Sequence, residues 1–138
     1  MKILNNEPLP IILAILAISL AAVYFISRDK TTLPLGKYEA FSSEHPDLAP
    51  AYVDLYTSDT NGSSRFTFVF SPISSTIHMG SYEIRDNTLI LTTDDGNNSY
   101  FFLIEGNSLI FRAERSTSIQ KFRDLNIVHD KTVFSLVK

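Results

Sequence analysis

The chain has 138 residues, a formal net charge of −3 and no cysteine. These totals exclude a disulfide framework and a lipidated-cysteine anchor, and the mild acidity excludes non-specific nucleic-acid binding, which needs a dense positive surface. No phosphate-cradling or metal-ligand motif is present, so no cofactor is expected.

Residues 1–8 read as a short tail. Leu9 to Ile26 (LPIILAILAISLAAVYFI) carries no charge, and its only polar side chains are Ser19 and Tyr24. At about 1.5 Å per residue this run reaches roughly 27 Å, close to the ~30 Å hydrocarbon core of a bilayer. A soluble core helix of that length would keep a polar face, and this run has none. Three readings compete: an uncleaved transmembrane anchor, a cleaved signal peptide and a buried soluble helix. The anchor is expected, because Val23-Tyr24-Phe25-Ile26 continues the apolar run past the one weak cleavage site, Ser19-Leu20-Ala21. Pro8 and Pro10 suit a helix start, and Tyr24 and Phe25 suit an interfacial belt. Positive-inside counting of Arg28, Lys30 and Lys37 would hold the following domain in the cytoplasm. The layout of short tail, single span and β domain is that of a bacterial envelope protein and points outside. The outside is expected, with a cleaved, secreted form as the alternative.

Residues 27–35 form a polar linker, and a β domain is expected over 36–138. That domain holds four Lys and five Arg against eight Asp and five Glu, with nine Phe and five Tyr as packing units. Glu39 to Pro50 reads as a loop with room for one helical turn. Tyr52 to Tyr56 is the first clear strand, and Thr57 to Ser64 is a turn. Arg65 to Phe70 sets Phe66, Phe68 and Phe70 on one face.

An internal repeat follows. Tyr82 to Leu91 aligns at a shift of twenty with Phe102 to Phe111, each passing through a tight turn, Asp86-Asn87 or Gly106-Asn107. Both dipeptides tolerate the positive φ angles of two-residue hairpins. With a third turn at Asp94 to Asn98, the pattern predicts strands over 80–85, 88–93, 99–105 and 108–114. Tyr82, Ile84, Leu89, Leu91, Tyr100, Phe102, Ile104, Leu109 and Phe111 fall on one face. Ile90, Phe101, Leu103 and Ile110 fall on the other, so part of that face must be covered too. Further strands are expected over 118–122 and 132–137. Eight to ten short antiparallel strands call for closure, because closure removes exposed edges, and a small barrel is preferred to a sandwich.

The stretch from Gly80 to Phe111 resembles the small lipocalin-like β domains of bacterial cell-envelope proteins. Gly36-Lys37-Tyr38 is similar to the Gly-x-Trp opening of the first lipocalin strand, with Tyr in place of Trp. The resemblance implies an up-and-down barrel with room for an interior cavity, and carries over no catalytic residue.

Chemistry-bearing clusters are few. Asp94 to Asn98 is rich in oxygen ligands, but Glu105 is out of register for a calcium loop, and a polar hairpin turn is the expected reading. His45, His78 and His129 have no partner at metal-ligand spacing. No Gly-x-Ser-x-Gly elbow supports a nucleophile, so no enzyme is expected. Asn61-Gly62-Ser63 and Asn97-Asn98-Ser99 match a glycosylation sequon and are also ordinary turns. A non-enzymatic binding module is therefore expected, taking a small apolar ligand or an envelope protein. Interior ligand contacts would come from His78, Tyr82, Phe68 and Phe102. The alternative is an immunity, inhibitor or accessory subunit with a fully packed barrel that binds another membrane protein through its outside. Arg112, Arg115, Lys121 and Arg123 form the one basic cluster, available to a partner or to anionic headgroups.

Overall fold

The computed structural model describes residues 9–26, 31–71, 73, 76–120, 125 and 127–138, with the side chains of residue 9 and of 22–26 excepted. The chain divides into two compact units, Met1–Lys30 and Thr31–Lys138.

In the first unit, α1 (Leu9–Ile26) forms over the expected apolar run. Ser19 satisfies its hydroxyl locally, donating to the Ile15 carbonyl at 2.8 Å. Every side chain described, from Pro10 to Ala21, is exposed, on all faces of the helix. That described stretch spans only about 18 Å, and among the described residues no helix is long and apolar enough to cross a membrane. The expected helix is thus present, while its crossing of a membrane is not shown.

The second unit is an all-β closed barrel of eight antiparallel strands: β1 (Gly36–Ala40), β2 (Ala51–Thr57), β3 (Ser64–Val69), β4 (His78–Arg85), β5 (Thr88–Thr93), β6 (Ser99–Glu105), β7 (Ser108–Phe111) and β8 (Val133–Leu136). Each strand pairs with the next in sequence, and β8 closes on β1 through Tyr38↔Leu136 and Glu39↔Ser135. The central hairpins match the expected bounds of β5 and β6. Asp86 and Asn87 both take positive φ (47° and 61°), as a type I′ turn demands, whereas in the Gly106-Asn107 turn Gly106 alone does (58°).

The ends of β2, β3 and β8 shift by one residue, β1 takes Glu39 and Ala40 from the expected loop, and three larger differences stand out. β4 begins two residues early, because His78 and Met79 pair with Phe68 and Thr67. β7 stops at Phe111, where Ala113–Arg115 forms a single 3-10 turn. The Ala113 amide there donates to the Asp130 carboxylate at 3.0 Å, drawing the chain out of the ladder. The strand expected over 118–122 is not formed at 118–120, and 121 and 122 lie outside the described residues.

Alternation along the strands drives one face inward. Phe66, Phe68, Leu89, Leu91, Phe102, Leu109 and Phe134 are completely buried. Phe68 sits at the centre, with ring centroids 5.0 Å from Tyr100, 5.7 Å from Phe102 and 6.2 Å from Phe134, all edge-on. These rings come from β3, β6 and β8, so they meet across the barrel axis and fill it, as side chains do in small eight-stranded barrels. Tyr82 and Ile84, expected on this face, pack against the core while half-buried. Tyr38 is fully buried and donates its hydroxyl to the Pro34 carbonyl at 2.6 Å. Burial, aided by Tyr82, pushes its pKa up to about 12.

Candidate binding surface

An up-and-down barrel sorts its connections between two ends. At one end lie residues 31–35 and three tight turns: 58–63, Asp86-Asn87 and Gly106-Asn107. At the other lie the connections 41–50, 70–77, 94–98 and 112–132. The first end is tied down locally. Thr31 donates its hydroxyl to Asn87 Oδ1 at 2.6 Å, and Asn61 Oδ1 accepts from the Ser63 amide and hydroxyl. The second end is closed by side chains its loops fold inward: Ile127 and Val128 are buried, and Leu48 and Ile119 pack against the core.

Three grooves lie at the long-loop end. One, of about 520 Å³, lies between Phe41–Glu44 and the 127–133 segment. A second, of about 270 Å³, lies beside the 3-10 turn and includes Thr117, Ile119 and Asp130. A third, of about 400 Å³, runs between the start of β4 and the 94–98 turn, with Ile77, His78, Met79, Thr93, Asp94, Asp95 and Asn98 along it.

The third groove has the most defined chemistry. Its floor is His78, half-buried, with its ring 5.1 Å from Phe70 and 5.5 Å from Tyr100. His78 Nδ1 and the Tyr100 hydroxyl share a hydrogen bond of 3.3 Å. Burial lowers the His78 pKa against the opposing pull of Asp95, and burial followed by Asp95 raises Tyr100 to about 12. Gly80 makes this arrangement possible: a Cβ there would lie 1.9 Å from the Thr92 carbonyl oxygen, so β4 and β5 approach in a way only glycine allows.

The wall is the 94–98 turn, built as a self-satisfied hairpin. Thr93 Oγ1 donates to Asp95 Oδ1 at 2.6 Å, and the Asn97 amide donates to the same oxygen at 3.0 Å. The Asn98 amide donates to Thr93 Oγ1, and Gly96 takes φ 72°. Those bonds, from Thr93 first and then Asn97, hold the Asp95 carboxyl below its ordinary pKa. Asp94 is taken up by Arg65, whose guanidinium grips both carboxylate oxygens at 2.7 Å and depresses that carboxyl as well. The turn thus forms as the sequence predicts, and no cluster able to hold a metal exists among the described residues.

Of the expected ligand contacts, the structure brings Phe68 and Phe102 together in the filled centre, with Tyr82 half-buried on the inner wall and His78 at the long-loop rim. Of the expected basic cluster, Arg112 is held by Glu114 at 2.7 Å and Arg115 lies over the Phe101 ring at 4.8 Å. Lys121 and Arg123 lie outside the described residues. Sequence reasoning missed the Arg65–Asp94 pair and the His78–Tyr100 contact, which join residues 29 and 22 positions apart with no shared local pattern. Comparisons with family models, with curated proteins and with solved structures find no match to this chain.

Proposed function

We propose that this protein is a membrane-tethered, non-enzymatic binding barrel that recognises another protein of the cell envelope through its outer surface at the long-loop end. The observation that carries the reading is the filled axis: Phe68, Tyr100, Phe102 and Phe134 meet where an interior ligand would sit. With the inside occupied by its own rings, the barrel has its loops and outer wall left for recognition. The tether rests on α1, whose described side chains are exposed all round and apolar apart from Ser19. Such a helix needs a lipid or protein surface against every face. Eight strands in up-and-down order agree with the lipocalin-like resemblance, and that likeness of architecture says nothing further about activity.

In this reading a single N-terminal span holds the barrel outside the cytoplasm. Protease treatment of a C-terminally tagged protein in intact spheroplasts, with apparent mass read on the same gel, tests it. Digestion of a full-length, membrane-bound species is the expected result. Protection would place the barrel in the cytoplasm, and a soluble species short by the apolar run would mean a cleaved leader.

A further inference from the structure

We propose that the groove between the start of β4 and the 94–98 turn docks an arginine- or lysine-bearing apolar segment of a protein partner, the side chains of Ile77 and Met79 taking its apolar part and Asp95 its cation. The inference rests on the binding-barrel reading and gives it a chemistry.

Two independent features meet in this groove. Ile77 and Met79 are 56% and 47% exposed and both line the groove at the mouth of the barrel. Beside them stand two adjacent carboxylates that differ in occupancy. Asp94 is neutralised by the bidentate grip of Arg65. Asp95 is exposed and is held within its own turn by Thr93, by Asn97 and by its own amide, and among the described residues no cation is paired with it. Asp95 is also oriented in advance, because the two bonds to Oδ1 fix its rotamer within the turn. A fixed carboxylate beside exposed apolar surface is complementary to a cation on an apolar stem, the make-up of Arg or Lys in an apolar segment. An anionic bilayer is the poorer fit, since the charge on this face of the groove is negative. A groove of about 400 Å³ accommodates one or two side chains rather than a folded ligand.

The test uses the full chain, ¹⁵N-labelled in a zwitterionic detergent, titrated with two synthetic heptapeptides: leucines around a central arginine, and the same peptide with glutamate at that position. The arginine peptide should give saturable shifts of the amides of 77–79 and 94–98, and the glutamate peptide should not. Asp95→Asn keeps an oxygen for Thr93 and Asn97 while removing the charge, so the turn persists and affinity falls about tenfold. Met79→Ser, on an exposed position, should weaken the same peptide without altering the core resonances. Equal shifts with both peptides, unchanged affinity in Asp95→Asn, or no shift at all would overturn the groove. Shifts confined to the outer wall around Phe101 and Ile110 would overturn it too, while leaving protein binding by the barrel intact. Phosphatidylglycerol vesicles moving the 77–79 amides as strongly would assign the surface to lipid and overturn the proposal. The spheroplast digestion reads the tether separately, so the two failures stay distinct.

Discussion

The two ends of the barrel terminate the same strands by largely different means. Where residues 31–35 lead into β1, the turns are short, polar and closed on their own hydrogen bonds: Asp86-Asn87 by backbone geometry, 58–63 by Asn61, and the linker by Thr31 on Asn87. At the other end 94–98 is again a short hairpin closed on its own bonds, but 41–50, 70–77 and 112–132 are longer, and Leu48, Ile119, Ile127 and Val128 from two of them close the barrel. The exposed apolar side chains divide accordingly. Leu35 and Val137 stand at the tight-turn end, and Phe41, Ile73, Ile77, Met79 and Val133 at the long-loop end. A tight turn needs only the right dihedral angles, so its residues are used up in making it. A long loop has residues to spare after closing the core, and those are free to meet something else.

The strongest way to break this comparison is through the core both ends share. Phe68→Ala removes the ring at the crossing point and should destabilise the barrel by ~3–5 kcal/mol in a denaturant melt. A loss well under ~1 kcal/mol would mean the axis is not filled as described. Next comes Gly80→Ala, which drives a methyl group into the Thr92 carbonyl and should cost about 1–3 kcal/mol or more. Because it forces β4 and β5 apart beneath the groove, amide exchange in 93–98 should accelerate while that of Asp86 and Asn87 changes little. Uniform acceleration would argue against separable ends.

Asn87 tests the tight-turn end in the same way. Its φ of 61° favours Asn or Gly. Asn87→Ala should therefore cost roughly 1–2 kcal/mol, and Asn87→Gly should recover most of that loss in a thermal melt. If Ala and Gly behave alike, the Thr31 hydrogen bond rather than the turn conformation is what matters there.

The smallest expected effect is a pH dependence at the other end. Burial lowers the His78 pKa in the folded state, so the folded protein binds fewer protons than the unfolded chain. Stability from this residue is complete above the unfolded value near pH 6.5 and is lost as pH falls from there toward the folded pKa. Asp94, Asp95 and Glu114 have depressed values, so their contributions persist until pH falls through the unfolded carboxylate range near pH 4. Comparing melting temperatures at about pH 7 and about pH 5 therefore reads His78 apart from these carboxylates, the polar groups facing it being Tyr100 and Asp95. His78→Gln should flatten the decline, and an unchanged decline would assign it elsewhere.

Much of the barrel was legible because strands and hairpins are local. Period-two alternation marked β5 and β6 with their bounds, and Asp86-Asn87 and Gly106-Asn107 declared their turns by residue type. The interruption after Phe111 was not legible, because the group that draws the chain away is Asp130, seventeen residues beyond the Ala113 amide it binds. The basic residues near 112–123 looked like one cluster in sequence, yet the two described arginines are each engaged separately, by Glu114 and by Phe101. The groove was the least legible part. A lone histidine, an exposed methionine and a turn aspartate carry no pattern until β4, β5 and β6 stand side by side.

The central claim is that the interior is filled, so that recognition belongs to the outside. Titration of the methyl-labelled full chain with a fluorescent fatty acid, following Leu89, Leu91 and Leu109, addresses it directly. The account predicts no saturable shift of these buried methyls and an unchanged near-ultraviolet signal from the ring cluster. One-to-one binding that moves all three, with the probe held away from water, would contradict it and return the barrel to the small-ligand carriers.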